Sequence, residues 1–256
     1  MNASNPSMEK APRHMGIELL RIVATGMIVL HHLLAHGGLL AVFPSPGPTD
    51  AAMRLLNAFA YCAVNLYGLI SGYGGSGRFR PARLVGLWGQ AWFTGVVLTA
   101  LLSPLTPVTA ADWRTALLPI GSQEYWYLTA YFGLYVLSPA LHAAVERLSR
   151  RQLTLTLLGC VCVLYLLGAW LRRYGSPARS NWKPLLCFFL CVGIAGGWQI
   201  AALLLKARGI TPLMDGDQLL HYNSPLMLLA SLALFRWFLR LHPSGRLERL
   251  IRWAAP

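Results

Sequence analysis

Charge is scarce in this chain of 256 residues: 12% of it is Asp, Glu, Lys or Arg, while 55% is hydrophobic. With a mean hydropathy of +0.49, this composition excludes a soluble domain and indicates a polytopic membrane protein. Acidic residues are scarcer still, 9 against 22 Lys and Arg, for a formal charge of +13. Most of the basic residues fall in short loops between apolar runs. There they set topology and meet anionic lipid, so the excess does not signal nucleic acid as a partner. Cysteine is sparse as well. Cys62, Cys160, Cys162, Cys187 and Cys191 all lie inside apolar runs, as small buried residues do, and not as a disulfide framework or a metal site. No phosphate-cradling Gly-rich loop, nucleotide fingerprint or metal-ligand set occurs. No cleavable leader is expected, because the first apolar run is long and lacks a small-residue cleavage site.

What the chain does have is a series of about seven apolar runs, which predicts an all-α transmembrane bundle. They cover roughly 15–36, 51–72, 84–102, 124–143, 153–171, 184–205 and 219–239. Nine tryptophans and ten tyrosines suit the aromatic belts at membrane surfaces. The loops at 37–50 and 103–123 are poor in Lys and Arg. Arg78, Arg80 and Arg83, and then Arg147, Arg150 and Arg151, punctuate the alternate loops. Up to the fourth run this pattern places the N-terminus inside the cell membrane, in the cytoplasm. Beyond it the alternation fails. Arg172, Arg173, Arg179 and Lys183 stand where an outside loop is due, as do Arg240, Arg246, Arg249 and Arg252 after the last run. An even number of crossings between Arg151 and Arg172 repairs every assignment. Nineteen residues cannot make two spanning helices, so three readings stay open: a re-entrant run, a lost crossing, or a local failure of the charge rule.

The most informative run is the first, IELLRIVATGMIVLHHLLAH from Ile17 to His36. Ionisable groups inside a spanning helix cost about 2.5–3.5 kcal/mol at mid-helix and mark function by default. Arg21 and His32 are separated by three turns plus roughly 20°, which sets them on one stripe about 16 Å apart. Glu18, Thr25 and His36 fall near that stripe, whereas His31 points away from it. The competing readings are a snorkelling arginine and interfacial histidines.

Elsewhere the chemistry is thinly marked. Ser71 is a candidate nucleophile without the strand-turn-helix context of an elbow, or simply a small residue beside Gly72 that lets helices approach. Arg78, Arg80 and Arg83 read as a topology anchor or as a phosphate clamp. Tyr125, Trp126 and Tyr127 read as an interfacial belt or as site lining. Asn65, a polar group in an apolar run, requires a partner.

Taken in order, the motifs carry a resemblance. ELLRIVATGMIVLHH resembles the opening helix of the acyltransferase family 3 membrane enzymes, marked by Arg, ten residues, then His; here these are Arg21 and His32. AVNLYGLISGYGGSGRFRPARL, which includes Tyr73, is similar to that family's next two motifs. LPIGSQEYWYLTAYFGLYVLSPAL resembles the branch that acetylates surface polysaccharides, and LYLLGAWLRRYG and NSPLMLLASLALF are weaker matches to later helices. The resemblance spans nearly the whole chain, so 1–256 reads as one membrane-embedded domain. Relative to the family it is shortened around 150–160 and at the C-terminal end, with fewer spanning helices than members commonly have.

The resemblance implies an enzyme that moves an acyl group, usually acetyl, from cytoplasmic acyl-CoA to a hydroxyl of a cell-surface or exported carbohydrate. Acyl-CoA is a co-substrate, and no bound cofactor is implied. Arg21, oriented by Glu18, would hold the CoA end with help from Arg78, Arg80 and Arg83. His32 would be the catalytic residue, as general base or acyl relay, with Asn65, Ser71, Tyr73, Tyr125, Trp126 and Tyr127 as possible lining. Imidazole suits the role because it ordinarily titrates near neutral pH. The expected partners are membrane lipids and a carbohydrate or lipid-linked glycan. A non-catalytic transporter or assembly partner for lipid-linked glycans is the alternative from another class.

Overall fold

A computed structural model describes residues 14–43, 45–75, 79–120, 125–149, 151–152, 163–175 and 182–254. Among them regular structure is helical throughout, with no strand, as the all-α expectation required. Among the described residues, five helical segments are long and apolar enough to cross a membrane: Met15–His36, Pro48–Gly74, Pro81–Leu102, Trp126–Arg147 and Lys183–Ala207. At 22 to 27 residues each they reach about 33–40 Å, beyond the ~30 Å hydrocarbon core. The chain divides into two compact units, Met1–Tyr73 with Leu171–Pro256, and Gly74–Trp170.

The first unit begins with α1, Met15–His31, which continues into a single π turn, His32–His36. A short α2, Leu39–Val42, follows. The second apolar run starts earlier than its sequence suggested, because Pro48 takes the first helical position, where no N–H is needed. It is interrupted once. Helix α3, Pro48–Tyr61, and α4, Ala63–Gly74, meet at the buried Cys62. There the hydroxyl of Ser231 donates to Cys62 O at 3.4 Å. Leu20, Ala24, Leu66, Leu69, Phe188, Met227, Ala230 and Phe235 form the core. In lipid such a core is held by close packing more than by expulsion of water. Gly196 shows this, since a Cβ there would lie 2.9 Å from Leu55 and 3.2 Å from Ala58.

In the second unit lie α5, Pro81–Leu102, α6, Ala110–Leu117, and α7, Trp126–Arg147; the unit boundary falls within α8, Val163–Tyr174. Helix α6 occupies part of what reads in sequence as a loop. Its capping box pairs Thr109 with Asp112, which satisfies the first free N–H groups. These hydrogen bonds from Thr109 hold the Asp112 carboxyl below its ordinary range. Pro139 sits inside α7 and leaves Tyr135 O without its helical donor; the Ser138 hydroxyl supplies one at 2.7 Å. Of the fifth apolar run, 153–162 lies outside the described residues.

The last helices of the first unit are α9, Lys183–Ala207, α10, Pro225–Phe238, and α11, Gly245–Ala254. The run 219–239 was expected to cross as a helix. Only 14 residues are helical, about 21 Å and too short. Ser224 caps the helix by accepting from Leu226 N, and Pro225 fixes its first position. The preceding chain makes a 3-10 turn at Gln218–Leu220, and Tyr222 O accepts from Asn65 Nδ2 at 3.0 Å. Irregular backbone thus enters the unit, and a buried amide satisfies it, as membrane depth demands.

Two contacts fix which helix ends lie together. Arg172 Nη1 donates to Tyr73 O at 3.2 Å, at the close of α4. The His242 ring packs tilted against His14 with centroids 5.7 Å apart, and a Cβ on Gly16 would come within 2.7 Å of Leu241 O. Helix α1 leaves this end and α3–α4 returns to it. Residues 172–173 and the segment after 240 therefore emerge at the end where α1 begins. A count of seven crossings would have put them at the opposite end.

Candidate functional site

On α1, Leu20, Ala24, Met27, His31 and Leu34 are buried; of the predicted stripe, Glu18 is buried, Arg21 is half-buried, and Thr25, His32 and His36 are exposed. Arg21 and Glu18 meet at 2.6 Å, with side chains 28% and 11% exposed. Such a pair one turn apart adds only about 0.2–0.5 kcal/mol to an isolated helix; its larger effect is to aim the guanidinium. Thr25 Oγ1 donates to Arg21 O at 2.9 Å and lies 2.6 Å from the Tyr67 hydroxyl. This ties the stripe to α4.

His32 Nδ1 lies 2.8 Å from Ile28 O, one turn back. A carbonyl only accepts, so Nδ1 carries the proton and Nε2 presents its lone pair. His31 faces inward, where its Nδ1 donates to Asn57 Oδ1 at 2.8 Å and its ring meets Tyr61 edge-on at 4.7 Å. The π turn adds His36 to the group. Gly37 N donates to His32 O, five residues back, at 2.7 Å. That wider closure returns residue 36 over residues 31 and 32. The ring centroids stand 5.8 Å apart for His31–His36 and 5.2 Å for His32–His36.

Behind the histidines runs a polar ladder on the second span, Asn57, Tyr61 and Asn65, each four residues apart. Tyr61 packs on Tyr222 at 5.3 Å. Asn65 is 1% exposed; its amide nitrogen holds Tyr222 O, and among the described residues its Oδ1 has no partner. Asn57, Tyr61, Tyr67 and Tyr222 were not singled out in the sequence. The i, i+4, i+8 spacing of Asn57, Tyr61 and Asn65 was the signal available for part of this set.

The remaining candidates are distributed. Ser71 is half-buried on α4, and Tyr73 packs edge-on against Phe235 at 5.6 Å. Arg80 and Arg83 belong to the second unit, exposed at the start of α5, with Arg80 N donating to the Tyr135 hydroxyl at 3.3 Å. Tyr125, Trp126 and Tyr127 open α7 in the same unit, and the Trp126 and Tyr127 rings meet edge-on at 5.8 Å. Arg78 lies outside the described residues, as do Cys160 and Cys162. The first unit thus brings together Glu18, Arg21, Thr25, the three histidines and Asn65, and the second holds the Arg80–Arg83 and Tyr125–Tyr127 groups.

The family model described as an acyltransferase domain, that of acyltransferase family 3, matches residues 15–255. The chain belongs to acyltransferase family 3. No curated protein and no solved structure matches it. For this family member, the match begins at the first residue of α1 and runs through α11. It takes in both units and every described candidate residue.

Proposed function

We propose that this family member transfers an acyl group, acetyl first among the candidates, from cytoplasmic acyl-CoA to a hydroxyl of a cell-surface or exported carbohydrate. The observation that carries the reading is the Nδ1–H of His32 on Ile28 O, which leaves Nε2 free to accept a proton. In the proposed step, Nε2 takes the proton of the acceptor hydroxyl and the oxygen attacks the thioester carbonyl. The C–S bond breaks, and the departing CoA thiolate recovers the proton from the imidazolium. The guanidinium of Arg21, aimed by Glu18, pairs with phosphate of the donor, for which its planar fork is suited.

The experiment is acyl transfer from radiolabelled acetyl-CoA in membranes that contain the protein. Label in the carbohydrate fraction, lost in His32→Ala at equal protein level, is the expected result. Glycan export that proceeds with no label transferred would instead fit a non-catalytic role.

A further inference from the structure

The helix α11, Gly245–Ala254, plays no part in the proposed transfer, yet its sequence GRLERLIRWA sets an arginine followed by Leu or Trp at every third position. Its only buried residue is Ile251, at 2% exposure. Leu247, Leu250 and Trp253 recur every third residue and are 48%, 62% and 86% exposed. Arg246, Arg249 and Arg252 recur at the same interval one residue behind, all exposed. At about 100° per residue the two rows lie side by side on the cylinder. The helix therefore touches its own protein through Ile251, turns an apolar row outward beside it, and carries a cationic row next in order. Glu248, the one acidic residue, is paired with Arg252 at 2.6 Å, which leaves Arg246 and Arg249 uncompensated by any carboxylate within the helix.

Position decides what covers that surface. The turn before α11 is pinned to the first residues of α1 by His242 on His14 and by Leu241 O at Gly16. Helix α1 is a candidate membrane span that begins at Met15, so α11 lies at the level of a bilayer surface. An exposed Leu-Leu-Trp row at that depth suits the boundary between headgroups and acyl chains, and adjacent arginines suit lipid phosphates. We propose that α11 is an interfacial helix that binds anionic phospholipid, with Leu247, Leu250 and Trp253 in the acyl boundary and Arg246, Arg249 and Arg252 on the phosphates. The inference depends on α1 crossing the bilayer and is independent of acyl transfer.

The test uses the full chain with its five cysteines replaced and Leu250→Cys carrying an environment-sensitive fluorophore. It is reconstituted in vesicles of phosphatidylcholine alone or with phosphatidylglycerol added. The expected result is a blue-shifted emission, shielded from an aqueous quencher, that deepens with phosphatidylglycerol and relaxes in high salt. Combined Arg246→Gln, Arg249→Gln and Arg252→Gln, all at exposed positions, should abolish the phosphatidylglycerol response while the phosphatidylcholine spectrum stays unchanged. A water-like emission in both vesicles, equal immersion in both, or an undiminished response in the triple variant would overturn the proposal.

Discussion

His32 Nδ1 and the carbonyl oxygen of Ile28 are 2.8 Å apart, and this one contact separates two adjacent histidines into different roles. His32 has its proton assigned by the backbone and its second nitrogen outward. His31, a residue earlier, spends its Nδ1 on Asn57 inside the protein. His32→Ala should therefore lower acyl transfer by about 10²–10⁴-fold, the usual contribution of a general base, with thermal stability unchanged. His31→Ala should instead lower stability by about 1–3 kcal/mol, because Asn57 is left buried without its donor. Activity assays beside thermal unfolding in detergent separate the two, and loss of transfer with intact stability in both variants would contradict the division.

Arg21 is expected to act on the donor. Arg21→Ala should raise the KM for acyl-CoA roughly tenfold to a hundredfold, from the loss of a charge-assisted bond of about 1.5–3 kcal/mol. Arg21→Lys should recover part of this, since a point charge replaces a planar fork. Steady-state kinetics with acyl-CoA varied and acceptor saturating reads the outcome, and an unchanged KM in Arg21→Ala would remove it from the donor site.

His14 gives the protein a pH-dependent joint. Burial, and then the neighbouring His242, lowers its pKa from the ordinary value near 6.5. Above that value both folded and unfolded chains hold it neutral, and the contact contributes fully. As pH falls below 6.5 the unfolded chain takes the proton first, so stability is lost down to the lowered folded value. Unfolding temperature should drop as pH falls below about 6.5. His14→Gln should flatten that slope, and a variant slope equal to that of the parent would exclude this histidine as its source.

Topology follows from contacts within the first unit. Arg172 reaches Tyr73 O and His242 meets His14, so single cysteines at Arg173 and Arg249 should label from the same side as the N-terminus. The charge pattern of the first four runs predicts a cytoplasmic N-terminus, for which an impermeant reagent should miss both in intact cells and reach both after the membrane is opened. Labelling at either site in intact cells would contradict this arrangement.

Much of this was legible because membrane helices are written in run length and punctuation. Pro48, Pro81 and Pro225 each open a helix, although the apolar runs place those starts at about 51, 84 and 219; the break in the arginine alternation after Arg151 left a re-entrant run, a lost crossing and a failure of the charge rule all open. The 14-residue α10 was obscured because the apolar run 219–239 continues through its own stop signal. Ser224–Pro225 begins the helix late, and only the distant Asn65 makes the irregular backbone before it tolerable. The stripe from Glu18 to His32 followed from helical periodicity alone. The partners of that stripe did not, since Asn57, Tyr67 and Tyr222 acquire their meaning by tertiary contact. Nor does HLLAH announce a π turn, because closing five residues back instead of four is settled by packing around His31 and His36.

The proposed transfer depends most on the lone pair of His32, and one measurement reaches it directly. Membranes bearing either the parent protein or His32→Gln, matched for abundance, are given radiolabelled acetyl-CoA, and the carbohydrate fraction is counted over a range of pH. Glutamine keeps the polar volume and can still donate to Ile28 O, but it cannot accept and carry a proton near neutrality. Label in carbohydrate is expected with the parent, and background counts with His32→Gln at every pH. Parent-level counts with His32→Gln would contradict it.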